Sequence, residues 1–133
     1  MAQLQCIVVT PESTVLDEQV DFVALPLYDG EIGIAPGRSP MIGRLGYGEL
    51  RLQAASGEPQ RFYIDGGFVQ VAGNVVSVLT PRAFPAATID KQVAAEQLTQ
   101  ARSRKANSDE LFSDRDRLER QARAQLRLAS RPK

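Results

Sequence analysis

Short runs in which hydrophobic and polar residues alternate fill residues 1–86, and glycine, proline, asparagine and aspartate separate the runs. The first run puts Leu4, Cys6 and Val8 on one face and stops before Pro11. Similar runs span residues 20–27, 49–53, 61–64, 68–71 and 75–79. Alternation with a period of two indicates β-strands, because successive side chains of a strand point to opposite faces.

The residues between these runs predict how the strands are connected. Gly57, the sequence Asp65-Gly66-Gly67 and the sequence Gly73-Asn74 supply residues that tolerate the positive φ of hairpin turns. Turns recur about every ten residues, a spacing typical of antiparallel sandwiches and barrels. No helical pattern lies between the strands, which argues against a parallel α/β organisation.

A helical period replaces the alternation after residue 87. Thr88 is placed to cap a first helix, and Asp90 follows in its first turn, where an acidic side chain is favoured by the helix dipole. Ala94, Leu98 and Ala101 then recur at spacings of four and three. These positions predict one narrow apolar face.

A second helix is predicted after a break at residues 105–107. Ser108 is placed to cap it, and Asp109 and Glu110 occupy its first turn. Its apolar positions are Leu111, Leu118, Ala122, Leu126 and Ala129. Two helices joined by so short a break form an antiparallel hairpin, and a seam made mostly of alanine buries little surface.

The chain has a net charge of zero, but its two parts carry opposite charges. Residues 1–87 contain 5 Arg and no Lys against 9 acidic residues, whereas residues 88–133 contain 11 basic and 7 acidic residues. All 10 glycines and 7 of the 8 prolines precede Thr88. We therefore predict a β domain in residues 1–86 and a helical hairpin in residues 87–133.

Groups that could perform catalysis or bind metal are scarce. The chain has no histidine, and the alternating position of its single cysteine, Cys6, indicates a small buried hydrophobic side chain. The sequence Gly30-Glu31-Ile32-Gly33 lacks the Gly-Lys-Ser/Thr of a phosphate loop and is interpreted as a turn. The acidic residues Asp17, Glu18 and Asp21 are interpreted as a solvated turn. We expect no enzymatic activity, no metal and no cofactor.

No apolar run is long enough to span a membrane, and the N-terminus lacks the pattern of a secretory signal. The sequence therefore predicts a cytosolic or cytosol-facing location.

Arginines on the second predicted helix form the strongest candidate for a binding surface. Arg120, Arg123 and Arg127 share one helix face, and arginine outnumbers lysine 13 to 3 in the chain. A solvated face, a contact with an acidic protein surface and a nucleic-acid-binding arm on a small β domain all stay open. The last is disfavoured because Phe112 is the single aromatic residue after residue 87, and base stacking needs aromatic side chains.

Two segments resemble signatures of the epsilon subunit of F-type ATP synthase. The first comprises residues 30–40 (GEIGIAPGRSP) followed by residues 48–51 (GELR). The second comprises residues 66–69 (GGFV) followed by residues 74–79 (NVVSVL). The opening residues 8–12 (VVTPE) and the alanine-rich tail fit as well, so the resemblance covers residues 3–130 approximately.

The resemblance implies a ten-stranded antiparallel β-sandwich followed by a two-helix antiparallel hairpin. It implies a non-catalytic rotor subunit of the central stalk, which binds the gamma subunit and the c-subunit ring and couples proton-driven rotation to ATP synthesis elsewhere. In many bacterial members the hairpin restrains ATP hydrolysis by contacting the alpha/beta catalytic head. The implied location is the cytoplasmic face of the bacterial inner membrane, peripheral, without insertion into the membrane and without nucleic acid.

The same resemblance assigns roles to particular residues. Glu31 matches an acidic residue of the loop that faces the c-ring, and Arg38 stands where a histidine is common. Arg120, Arg123 and Arg127 become the candidate inhibitory contacts with the catalytic head.

A degenerate nucleotide site is also implied, because some bacterial members bind ATP on the folded hairpin. The positions of this chain that match that site are Ile89, Asp90, Arg123 and Arg127. Val93 and Gln100 stand where the family has two further arginines. We therefore expect ATP binding to be weak or absent.

Overall fold

The computed structural model describes residues 3–54 and 59–130, so the predicted turn at Gly57 lies outside the described residues. The chain divides into two compact units, of which the first ends at Pro85 and the second begins at Ala86. The elements in chain order are β1 (Leu4–Val9), β2 (Thr14–Val20), β3 (Phe22–Leu27), β4 (Gly30–Ile34), β5 (Met41–Gln53), β6 (Gln60–Ala72), β7 (Val75–Leu79), β8 (Ala83–Pro85), a 3₁₀ turn (Ala86–Thr88), α1 (Lys91–Ser103) and α2 (Asp109–Ser130).

Hydrogen bonding joins the strands in the order β2-β1-β7-β6-β5-β3-β4, with β8 paired to β6. Neighbouring strands are antiparallel except β1 and β7, which are parallel, with Gln5 opposite Val75 and Val9 opposite Leu79. The prediction of a purely antiparallel arrangement is therefore wrong at this pair. A parallel pair needs a long connection, and the strands β2 to β6 provide it.

The two longest strands, β5 and β6, each change the face that they turn toward the core. In β5 the core residues are Leu45 and then Leu50, and in β6 they are Ile64 and then Val69. In each strand the two core residues are separated by an odd number of positions, whereas side chains on one face of a regular strand are separated by an even number. The change occurs around Gly46 and Gly48 in β5 and around Gly66-Gly67 in β6. Both strands thus cross from one layer of the fold to the other.

The sequence Asp65-Gly66-Gly67 was predicted to form a hairpin turn, and this is wrong. It lies inside β6, where φ is +80° at Gly66 and +105° at Gly67, values that glycine adopts without strain. The expected ten strands are likewise wrong in number, since the described residues form eight. Dividing β5 and β6 at their bends would give ten, which locates the difference in these two continuous strands.

The bends turn one sheet into the two layers of a β-sandwich. One layer contains β2, β1, β7, the second half of β6 and the first half of β5. The other contains β8, the first half of β6, the second half of β5, β3 and β4. Side chains from both layers form one hydrophobic core, among them Val8 and Val71 from the first and Ile34 and Leu52 from the second.

Cys6 is part of this core, which confirms the interpretation of its position. Burial raises the pKa of the thiol to about 12, with smaller contributions from the carboxylates of Glu18 and Asp17. The thiol is therefore neutral at physiological pH, and a neutral thiol is a poor nucleophile.

The turn between β6 and β7 is confirmed at Gly73-Asn74. Both residues have positive φ, +56° and +61°, and Ala72 pairs with Val75 across the turn. Two consecutive residues with positive φ are typical of the two-residue hairpin turn whose twist matches that of the flanking strands.

The second unit begins with the 3₁₀ turn that contains Thr88, so the predicted cap of the first helix is displaced by two residues. Asp90 caps α1, since its carboxylate accepts hydrogen bonds from the backbone N–H of Gln92 (2.9 Å) and of Val93 (3.2 Å). The buried face predicted for this helix is confirmed at Ala94, Leu98 and Ala101.

The cap predicted for α2 is confirmed, because the hydroxyl of Ser108 accepts a hydrogen bond from the backbone N–H of Leu111 (3.2 Å). The predicted apolar stripe is only partly right: Ala122 is buried, whereas Leu111 is 40% exposed. Residues that the stripe missed are also buried, namely Ala124, Gln125 and Leu128. The buried sector of the helix is therefore wider near its C-terminal end than a narrow alanine seam predicts.

We expect Gly67→Ala to lower the free energy of unfolding by at least about 3 kcal/mol. A Cβ atom at residue 67 would lie 2.0 Å from the carbonyl oxygen of Leu79, in addition to the strained φ. The control is Gly73→Ala, which has positive φ but no atom within 4 Å of the added Cβ, and should cost about 1 kcal/mol. Urea denaturation followed by circular dichroism measures both, and equal losses would contradict the proposed role of the close approach.

Candidate functional site

Three large hydrophobic side chains are exposed on the outer face of the first layer. Phe68 of β6 pairs with Leu79 of β7, and Ile42 of β5 lies diagonally across from Phe68. Their exposed fractions are 57% for Phe68, 56% for Leu79 and 76% for Ile42. Contiguous apolar side chains on a rigid sheet are typical of a surface that binds another protein.

A cation–π contact extends this surface toward the turn between β3 and β4. Arg44, the cross-strand partner of Phe68, places its guanidinium 4.2 Å from the ring centre of Tyr28. The backbone N–H of Tyr28 also donates to the carbonyl oxygen of Arg44 (2.9 Å). We call the five residues Ile42, Arg44, Phe68, Leu79 and Tyr28 the outer patch.

Sequence reasoning missed the outer patch. The available signal was that Phe68 and Leu79 stand at positions where an alternating strand with one solvated face has polar residues.

Glu31 lies in β4, and its carboxylate forms an ion pair with Arg51 (3.2 Å). Arg51 also contacts Glu49 (3.3 Å), and Glu49 contacts Arg61 (2.7 Å). Arg51 and Arg61 are direct cross-strand partners, an arrangement that would be repulsive without a carboxylate between them. The nearly buried side chain of Glu49 supplies that carboxylate.

Arg38 lies in the loop of residues 35–40 that connects β4 to β5, and its side chain is exposed. The preceding residue, Gly37, has a φ of +87°, and its backbone N–H donates to the side-chain oxygen of Asn74 (2.8 Å). Within the described residues, no ion pair joins Glu31 to Arg38. Because Glu31 lies within the strand β4, the interpretation of residues 30–33 as a turn is wrong, and the structure does not bring the side chains of Glu31 and Arg38 together.

The three arginines predicted to act on α2 differ in their partners. Arg120 pairs with Asp116 (3.0 Å), and Arg123 pairs with Glu119, each one helical turn earlier. Arg127 forms no ion pair with any residue in the described part of the chain. Local carboxylates thus neutralise two of the three charges and leave the third available.

No group of His, Cys, Asp or Glu within residues 3–54 and 59–130 is arranged to hold a metal ion. In the same residues, no helix is both long and apolar enough to cross a membrane.

Comparison with known proteins identifies the family. Residues 3–86 match the family described as ATP synthase, Delta/Epsilon chain, beta-sandwich domain. The chain is 52% identical over 124 residues to an ATP synthase epsilon chain of Rhodopirellula baltica, covering 93% of this chain and 96% of the relative. This chain belongs to the ATP synthase epsilon chain family. It is also 36% identical to the epsilon chain of Granulibacter bethesdensis over 111 residues, which are 84% of this chain and 82% of that relative.

Chains in two solved structures share this fold. A chain in the mitochondrial ATP synthase of Euglena gracilis, solved as OSCP/F1/c-ring, matches with a TM-score of 0.85 and 23% identity over 93% of this chain and 79% of that chain. A chain in the central stalk/c-ring of the Tetrahymena thermophila enzyme matches with a TM-score of 0.77 and 13% identity over 97% and 98% of the two chains. At these identities the matches establish the fold.

The four positions predicted to match a nucleotide site lie around the start of α1 and on α2. Ile89 directly precedes Asp90, and Asp90 is occupied as the cap of α1. Arg123 is paired with Glu119, which also lies 3.5 Å from Arg102 of α1. Two of the four matching residues therefore already have partners within the hairpin.

We expect titration calorimetry on the purified chain to show no saturable ATP binding tighter than about 100 micromolar. Each missing arginine removes about 1.5 to 3 kcal/mol of charged hydrogen bonding, and Val93 and Gln100 replace two. The double variant Val93→Arg, Gln100→Arg is the matched control and should bring binding into the measurable range. Tight binding by the unaltered chain would show that other groups replace the arginines.

Proposed function

We propose that this epsilon-family chain is a non-catalytic rotor subunit of the central stalk of an F-type ATP synthase. It binds the gamma subunit and the c-subunit ring and passes proton-driven rotation to catalytic sites elsewhere in the complex. The outer patch is the observation that carries the proposal, since a stalk subunit needs a rigid surface for a partner. The working location is peripheral, on the cytoplasmic face of the bacterial inner membrane.

The outer patch is assigned to the gamma subunit. Burying a large apolar side chain that is more than half exposed contributes about 1 to 2 kcal/mol, and Phe68, Leu79 and Ile42 each satisfy that condition. Strand pairing fixes all three in one register, so little entropy is lost when a partner covers them. Rigid attachment is the property that transmission of torque requires.

The segment that contains Glu31 in β4 and Arg38 in the loop that follows is assigned to the c-ring. Both side chains are exposed, and both belong to the segment from β4 to the start of β5. The β domain, predicted from the sequence over residues 1–86, accordingly carries the proposed gamma and ring contacts. The hairpin, residues 87–133, carries the proposed regulatory contact with the alpha/beta catalytic head.

The nucleic-acid alternative is not supported. Membership of the epsilon-chain family argues against it. Two of the three arginines that suggested it are neutralised locally, since Arg120 and Arg123 have carboxylate partners. Phe112, the aromatic residue of the hairpin, lies 5.2 Å beneath the guanidinium of Arg115.

To test the gamma contact, we expect the double variant Phe68→Ala, Leu79→Ala to weaken binding to the isolated gamma subunit at least about tenfold. The reason is the loss of apolar area that only the complex buries. Because both side chains are exposed in the free chain, the temperature of its thermal unfolding should change little. The control is Leu111→Ala, Phe112→Ala, which removes two exposed apolar side chains from the hairpin. Unchanged gamma affinity in the first variant would contradict the assignment.

For the regulatory contact, we expect Arg127→Ala to relieve more inhibition of ATP hydrolysis than Arg120→Ala or Arg123→Ala. Arg127 can pair with an acidic partner surface directly, because it has no ion pair within the described residues of its own helix. Arg120 and Arg123 must first break their ion pairs with Asp116 and Glu119. Steady-state hydrolysis by the assembled complex measures the effect, with a chain truncated after residue 87 as the fully relieved reference. Equal increases in hydrolysis for the three variants would contradict the expectation that local ion pairs determine which arginine contributes most to inhibition.

A further inference from the structure

Asn74, the second residue of the turn between β6 and β7, makes two hydrogen bonds to distant parts of the chain. Its backbone oxygen accepts from the N–H of Gln5 (2.8 Å) in β1. Its side-chain oxygen accepts from the N–H of Gly37 (2.8 Å) in the loop between β4 and β5. One residue therefore connects a β-turn, a strand and the loop of residues 35–40.

The loop of residues 35–40 needs such a connection. It belongs to no strand, and residues 37–40 are exposed. Gly37 has a φ of +87°, and no atom lies within 4 Å of the position that a Cβ would take there. Within the described residues, no other hydrogen bond holds the backbone of this loop to another element.

We propose that Asn74 is a positioning residue for Arg38. The hydrogen bond fixes the amide of Gly37, and Arg38 is the next residue, so the bond fixes the point from which its side chain extends. The acceptor is the essential group, because a backbone N–H can only donate. This inference rests on the proposed contact of Arg38 with the c-ring, and it adds the residue that presents Arg38 to that partner.

Two substitutions at residue 74 separate the acceptor from the turn. Asn74→Gly keeps the turn, because glycine adopts a φ of +61° without strain and the bond to Gln5 uses the backbone. It removes the side-chain acceptor. Asn74→Asp keeps an acceptor oxygen in the same place and also tolerates positive φ.

The first measurement is amide hydrogen exchange of the purified chain, followed by NMR. We expect the Gly37 amide to exchange about threefold to tenfold faster in Asn74→Gly and at the original rate in Asn74→Asp. The Gln5 amide should be unchanged in both variants. Unchanged exchange at Gly37 in Asn74→Gly would overturn the inference. Equal acceleration at Gln5 and Gly37 would also overturn it, since this would mean that the whole turn had opened.

The second measurement is the affinity of each variant for a preparation of gamma subunit and c-ring. We expect Asn74→Gly to weaken binding in the original background and to add nothing in an Arg38→Ala background, because the two residues act in series. Equal weakening in both backgrounds would overturn the positioning of Arg38. If Arg38→Ala alone has no effect, the proposed ring contact of Arg38 is wrong, and the exchange of Gly37 still decides whether Asn74 holds the loop.

Discussion

A side chain at residue 67 would occupy the space of a backbone carbonyl, since its Cβ would lie 2.0 Å from the oxygen of Leu79. This close approach lets β6 turn its core face from Ile64 to Val69 and pass between the two layers. β5 follows, because its residues 41–52 are paired with β6 along nearly the whole length of both strands. The sandwich therefore depends on a place where two backbones meet with no side chain between them.

The outer patch depends on the same place. Phe68 directly follows Gly67, and its strand partners are Arg44 on one side and Leu79 on the other. Without the change of face at Gly66-Gly67, the even-numbered residues of β6 would continue to face the core, and Phe68 would be among them. The bend that folds the sheet thus also brings an aromatic ring to the surface.

Much of the fold could be predicted because its signals are local. The alternation of β1, the turn at Gly73-Asn74, the cap at Ser108 and the buried face of α1 each depend on a few neighbouring residues. The pair Gly66-Gly67 was misinterpreted because positive φ serves a turn and a bend equally well, and only the distant Leu79 distinguishes them. Thr88 and Asp90 are both good capping residues, and the 3₁₀ turn that contains Thr88 leaves the cap to Asp90.

The candidate site likewise has a part that local sequence signals predict and a part that they do not. Glu31 and Arg38 could be selected because a sequence motif contains them, whereas the outer patch could not, because its exposure depends on which layer each half of a strand joins. Arg51 and Glu31 lie far apart in the sequence, and so do Asn74 and Gly37. Contacts of this kind leave no periodic signal, so a single sequence does not reveal them.

The ion pairs of α2 have a consequence for the proposed regulatory role. Asp116 and Arg120, and likewise Glu119 and Arg123, stand four residues apart with the acid nearer the N-terminus, the orientation that stabilises a helix by about 0.2 to 0.5 kcal/mol per pair. The acidic first turn and the cap at Ser108 add to this stabilisation. α2 therefore holds part of its helical stability within its own sequence. A helix stabilised in this way can contact a partner surface without unfolding. Its arginines can leave their own carboxylates for those of the partner at a small cost in free energy, because ion pairs at the surface are weak in water.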